Sequence, residues 1–286
     1  MRFCNFYEFA RQTGVLKWAY RYGLWQFRKR ILRRDSWLTL PTGLRIFLPR
    51  TSGSASEAFV TNAETDWGSE ALFSSLADPQ DDFIDVGAHI GYYSLYLSPL
   101  VKRVFSFEPD SRNHETLLMN TESVANITVE KKAASDVPGA GFLDVSNNSG
   151  VSHLASNKNS DTTEIEVTTI DDFAKSIESP NIKLIKIDVE GNDLNVVKGA
   201  LGVIRDQQPL ILTEFTSDGS GKNDFDELVR ICQKVSYRIF AYTREKADQK
   251  KPTFAELGQS NSDVKAKMLF LAPQRLHENF EGLLSR

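Results

Sequence analysis

At 286 residues the chain suits one large α/β domain with an appendage or, at most, two domains, and 41% hydrophobic with 25% charged residues is the balance of a globular protein with a sizeable core. No apolar run approaches the roughly 20 residues that span a bilayer, and the start MRFCNFYEFARQ lacks both a continuous apolar stretch and a small-residue cleavage site, so neither a membrane span nor a secretory leader is expected. Cys4 and Cys232 stand far apart, as do His89, His114, His153 and His277, which excludes a disulfide framework and a structural zinc site and fits a reducing, cytoplasmic setting.

The formal net charge of −4 conceals an asymmetry. Residues 9–34 hold Arg11, Lys17, Arg21, Arg28, Lys29, Arg30, Arg33 and Arg34 and no acid, interleaved with Trp18, Tyr20, Tyr22, Trp25 and Phe27. Helical spacing puts Lys17, Arg21 and Arg28 on one face and Val15, Trp18, Ala19, Tyr22 and Trp25 on another. Three readings stand for this segment: packing on the main domain with its cations in water, peripheral contact with an anionic membrane surface, or docking of a substrate or partner. Nucleic acid is excluded as a partner, because the rest of the chain is acidic and repels phosphates.

Further along, Trp37–Leu40 and Leu44–Leu48 flank Pro41-Thr42-Gly43 and read as a small hairpin. Residues 1–50 therefore form a basic aromatic helical segment with a hairpin, and residues 51–286 the main domain. A polar stretch over 50–65 precedes a helix from Asp66, its N-cap, to Leu76. From residue 82 strands and helices alternate, the pattern of a parallel sheet covered on both faces. Strands are expected at 83–86, 103–107, 127–131, 182–187, 210–213, 238–242 and 268–272, the last antiparallel, with helices at 91–99, 112–121, 193–204 and 224–235. A hairpin pairs 141–145 with 164–168, Ile170 and Asp171 open a short helix, and 146–163 and 244–262 read as polar loops.

The chemistry concentrates where strands end. Asp82-Phe83-Ile84-Asp85-Val86-Gly87-Ala88-His89-Ile90-Gly91 is a buried strand that turns on glycine into a helix, and a second strand, Val104-Phe105-Ser106-Phe107, ends in Glu108, twenty-three residues after Asp85. A glycine turn lets backbone approach a ligand, and an acid at the next strand end accepts hydrogen bonds from ribose hydroxyls, so an adenosine cofactor is expected. A dinucleotide needs a second glycine against its pyrophosphate, and His89 occupies that position. S-adenosylmethionine carries no phosphate, and Asp85 is placed to meet the charge of its amino-acid moiety. The ends of later strands carry Ser135 and Asp136, Asp188 to Gly191, and Glu214.

Lys183-Leu184-Ile185-Lys186-Ile187-Asp188-Val189-Glu190-Gly191, together with FIDVGAHIGYYSLYL (83–97) and VFSFEPD (104–110), resembles the FkbM-type S-adenosylmethionine-dependent methyltransferases. Their usual run is close to K-I-D-V-E-G with an acid two residues on, which here is Asp193 rather than Glu. Val167 to Asp172 and Leu210 to Glu214 are further family-like pieces, and the resemblance covers about residues 66–220. It implies a class I methyltransferase fold: a Rossmann-like, mostly parallel seven-stranded sheet with helices on both faces. It also implies methyl transfer to hydroxyl groups of sugars, polyketides and related metabolites. On that resemblance Asp85 and the turn Gly87, Ala88, His89 and Gly91 hold the methionine part of the donor, Glu108 the ribose diol, and Ser135 and Asp136 the adenine.

Transfer to an oxygen requires the acceptor proton to be removed. Asp188 and Glu190 are the candidate bases or, alternatively, ligands of a divalent metal; His89 is a third base candidate. Glu214 is placed to contact acceptor hydroxyls, and His153 to swing in from its loop. The expected acceptor is a glycan or small-molecule hydroxyl. Two rival readings remain: a methyltransferase-like adaptor without catalysis, docking through the basic segment, and an NAD-dependent oxidoreductase, which His89 and the lack of a Tyr-x-x-x-Lys pair disfavour.

Overall fold

The computed structural model describes residues 10, 14–144, 153–155, 162–214, 221–244, 252–258 and 265–284. Most of the expected 146–163 loop lies outside these residues, and the parts inside it, 153–155 and 162–163, belong to strands.

Helix α1 (Val15–Gln26) runs into a π-helical turn, Phe27–Leu32. Strands β1 (Ser36–Thr39) and β2 (Arg45–Leu48) form the expected antiparallel hairpin. The stretch read as a polar connection contains α2 (Gly53–Thr61), capped by Ser52, whose hydroxyl accepts from the Ala55 N–H at 3.1 Å. Its buried Ala55, Ala58 and Phe59 are spaced for a helix, but the small polar residues between them mask the pattern in the sequence. Helix α3 (Ser69–Ser75) begins later than expected, with Gly68 as N-cap. Asp66 is not its cap: its carboxylate accepts from the Tyr93 hydroxyl at 2.6 Å.

The alternation follows. It runs β3 (Asp82–Val86), α4 (Tyr92–Leu97), β4 (Arg103–Phe107), α5 (Ser111–Thr121) and β5 (Ile127–Glu130). Strands β6 (Ala133–Ala134), β7 (Gly139–Asp144), β8 (His153–Ala155) and β9 (Thr162–Thr168) form a separate sheet in the order β6-β9-β7-β8, with β7 and β9 antiparallel as expected. Then come α6 (Ile170–Ser176), β10 (Ile182–Ile187), α7 (Asp193–Lys198), α8 (Leu201–Gln207) and β11 (Leu210–Glu214). The chain closes with α9 (Gly221–Lys234), β12 (Arg238–Arg244), β13 (Thr253–Leu257), β14 (Lys265–Ala272) and α10 (His277–Leu284).

The main sheet has the order β13-β12-β14-β11-β10-β3-β4-β5. Strands β5, β4, β3, β10 and β11 run parallel to one another, and β14 is antiparallel to both β11 and β12. This is the class I methyltransferase sheet, with one strand beyond the expected seven: β13, paired to β12, lies in the stretch read as the 244–262 loop.

Strand residues alternate between two cores, because successive side chains point to opposite faces. Phe83, Val104, Leu184, Leu212 and Phe270 pack on one face with Trp18, Trp25, Phe59, Leu95 and Phe280 from the helices. Ile84, Phe105, Ile185, Ile211 and Leu271 face the other way, against Val196, Ile204 and Phe225. The single helix expected at 193–204 is broken at Gly199, where any Cβ would overlap the Ser135 carbonyl oxygen. Asp171 restarts it, accepting from the Gly202 and Val203 N–H groups, each at 2.8 Å.

Candidate functional site

The carboxyl ends of β3, β4, β10 and β11 surround a cavity of about 450 Å³. In parallel sheets this is where strands release the chain into loops that can hold a ligand. Of the residues singled out from the sequence, Gly87, Ala88, His89, Glu108, Asp188, Glu190 and Glu214 line it.

The turn after β3 is fastened to β4: the Gly87 and Ala88 N–H groups both donate to the Phe107 carbonyl, at 3.0 and 2.9 Å. Gly87 has φ +74°, and a Cβ there would overlap the Asp188 carbonyl oxygen, so only glycine lets the two motif turns meet. His89 has φ +52°, a left-handed conformation costing roughly 1 kcal/mol without glycine's freedom. It is held there by its N–H, which donates to Glu108 Oε2 at 2.8 Å. The other oxygen of Glu108 accepts from the Asp110 N–H at 2.9 Å. Burial pushes the Glu108 carboxyl up to about 7, against the pull of these two backbone donors.

Four expected contacts fall outside the cavity wall. Asp85 is fully buried beneath it, accepting from Ser94 Oγ at 2.6 Å. Burial raises its pKa, with Lys186 and Ser94 opposing. It shares a face with Phe83 and so points under α4, away from the turn. Gly91, at φ +93°, starts α4 behind the turn, against Leu117. Ser135 is buried and accepts from Asn192 Nδ2 at 3.3 Å, and Asp136 is exposed. The wall at that point is Ala133, Ala134 and Asn192. His153 lies in β8, paired with Asp144.

The opposite wall is acidic. Lys186, buried, donates to the Gly87 carbonyl at 2.8 Å and lies 3.6 Å from Asp85 and 3.5 Å from Asp188. Burial opposes its charge, but the Asp188 and Asp85 carboxylates outweigh that and raise its pKa. Glu214 is driven well above the ordinary carboxyl range by burial, then by Asp188 and Glu190. Burial and Asp188 push Asp193 up to about 6. Glu190 sits exposed on the rim at φ +52°. The divalent-metal alternative finds no support in the geometry: among the described residues no group of three or more His, Cys, Asp or Glu side chains is placed to hold a metal ion.

Four further residues in this wall had no site role in the sequence reading: Glu57, Lys267, Tyr93 and Asp66, which was read as a helix cap. Lys267 donates to Glu57 Oε1 at 2.9 Å and to the Thr65 carbonyl at 2.7 Å. Burial, then Glu70, raises the Asp66 carboxyl above its usual range. Nothing in the sequence marks Lys267, which reaches the cavity only because β14 inserts beside β11.

The model of the FkbM methyltransferase domain matches residues 85–239. The hexuronic acid methyltransferase AglP of Haloferax volcanii is 26% identical over 190 residues, covering 62% of this chain and 78% of that protein. Among solved structures, the methyltransferase FkbM from Methylobacillus flagellatus KT is 16% identical with a TM-score of 0.44, covering 91% of this chain. The chain spans 60% of the length of that protein. A putative methyltransferase from Streptococcus mutans in complex with SAH is 12% identical with a TM-score of 0.41, covering 71% of this chain and 95% of that one. With the family model spanning more than half its length and over both motif turns, the chain belongs to the FkbM family of S-adenosylmethionine-dependent methyltransferases.

Proposed function

We propose that the chain transfers a methyl group to a hydroxyl oxygen of a glycan or hydroxylated small molecule, with the donor held on the β3–β4 side of the cavity and the acceptor on the β10–β11–β14 side. The observation that carries this is Glu108. It is a buried carboxyl in the cavity wall, pinned by two backbone N–H groups and still holding lone pairs for a ribose diol. Ala133, Ala134, Pro109 and Leu143 offer an apolar surface for the adenine, and Asn192 a polar one. S-adenosylmethionine, when bound, supplies the electrophilic methyl.

The chain's part in the reaction is to place the acceptor and take its proton. Glu214, whose carboxyl burial and Asp188 push up, is the group that keeps a proton beside Asp188, and Lys186 lies next to Asp188, so Asp188 presents a carboxylate to the acceptor hydroxyl. As the oxygen forms its bond to the methyl, its proton passes to Asp188. The carboxyl groups Glu57, Asp66, Asp188, Glu190 and Glu214 suit hydroxyl donors, and Lys186 and Lys267 are both held by carboxylates. An uncharged, hydroxyl-rich acceptor therefore fits this wall better than an acidic one. The relative named for a hexuronic acid supports the sugar part of the assignment.

The test is methyl transfer from labelled S-adenosylmethionine to a panel of neutral and acidic sugars by the wild type, Asp188→Asn and Glu214→Gln. Asp188→Asn is expected to lose about 10²–10⁴-fold in kcat, the range for a general base, with S-adenosylhomocysteine affinity unchanged. Glu214→Gln, which preserves a donor to Asp188, is expected to lose far less. Equal activity of Asp188→Asn and the wild type removes Asp188 from the chemistry.

A further inference from the structure

Helix α1 has two apolar faces, and the fold uses one. Trp18 and Trp25, 6% and 2% exposed, pack with Tyr22 into the core cluster that holds Phe59 of α2. On the opposite side, Leu16 is 87% exposed, Tyr20 71%, Phe27 49% and Ile31 69%. Their spacing of four, seven and four residues runs them along one stripe of the helix and its π-helical extension. Lys17, Arg30, Arg33 and Arg34 are exposed around that stripe, and no acid occurs between residues 9 and 34.

We propose that this stripe lays α1 in the interface of an anionic lipid surface. A convex helix face with Leu, Ile, Phe and Tyr along its crest and cations beside it matches that environment: the crest enters the headgroup boundary and the cations meet lipid phosphates. The charge opposes a second copy as the occupant, because two such stripes face to face bring like charges together. Among the described residues no helix is long and apolar enough to cross a membrane, so the contact is peripheral. Beneath α1 lies α2, whose Ser54, Glu57 and Ala58 line the cavity, and docking sets that cavity one helix layer from the lipid.

The experiment is co-sedimentation of the full chain with vesicles of phosphatidylcholine alone and of phosphatidylcholine mixed with phosphatidylglycerol. Three proteins are compared: wild type, a stripe variant (Leu16→Ser, Tyr20→Ser, Phe27→Ser, Ile31→Ser) and a charge variant (Lys17→Gln, Arg30→Gln, Arg33→Gln, Arg34→Gln). Wild type is expected on the mixed vesicles only and to come off in high salt. Each variant is expected to bind at least about tenfold more weakly, with S-adenosylhomocysteine binding and Tm unchanged because the substituted residues are exposed. Wild type that stays in the supernatant, or a stripe variant that binds as well as wild type, overturns the proposal. So does a wild-type dimer in sedimentation velocity that the stripe variant dissociates, which assigns the stripe to a second copy.

Discussion

The two walls of the cavity are built by different physics. On the β3–β4 side, geometry comes from backbone hydrogen bonds: Gly87 and Ala88 to Phe107, His89 and Asp110 to Glu108. On the β10–β11 side it comes from charge, with Lys186 between Asp85 and Asp188 and the Glu214 carboxyl pushed up by burial and by Asp188. In the first wall a single carboxyl, Glu108, is anchored by two backbone donors; in the second several charged side chains hold one another. That division suits a donor of constant shape on one side and an acceptor that gives up a proton on the other.

Lys186→Met strikes the charged wall hardest. It leaves the fully buried Asp85 without its cation, and removing one partner of a buried pair costs about 3–5 kcal/mol of stability. The damage is expected to shrink as pH falls, because Asp85, already raised by burial, takes up a proton once Lys186 no longer opposes it. Chemical denaturation at two pH values reads this; equal destabilisation at both contradicts the assignment of charge to that wall.

Gly87→Ala strikes the backbone-built wall. The new Cβ meets the Asp188 carbonyl at a left-handed φ, so steric overlap and conformational strain add to about 2–5 kcal/mol. Thermal unfolding measures the loss, and here the effect is expected to be independent of pH. Should Gly87→Ala and Lys186→Met respond alike to pH, the two walls are not separable in this way.

Most of the main sheet was legible in the sequence because parallel strands buried on both faces read as near-continuous apolar runs, as in Leu184-Ile185-Lys186-Ile187 where Lys186 alone interrupts, and the first and fourth of them end at glycine turns. The hairpin around Pro41 and the β7–β9 pairing were legible for the same local reasons. What escaped was tertiary. Helix α2 hides its apolar positions among Ser, Glu and Thr, and β13 lies in a basic stretch that makes a strand only because β12 offers an edge. Asp85 sits in the expected strand, yet which face of that strand meets a ligand depends on where α4 packs. Asp66 and Lys267 come to one cavity from positions two hundred residues apart, through the placement of β14.

The most direct test of the donor wall is calorimetric titration of S-adenosylhomocysteine into wild type and Glu108→Gln from acid to neutral pH. The carboxylate form of Glu108 accepts from both ribose hydroxyls, whereas the protonated form surrenders an acceptor site. Wild-type affinity is therefore expected to rise with pH up to about 7, the value to which burial pushes this carboxyl, and to flatten above it. Glu108→Gln is expected to bind about 1–3 kcal/mol more weakly at neutral pH, with that slope gone. Equal affinity in the two proteins, or the same pH slope in both, contradicts the placement of the ribose on Glu108.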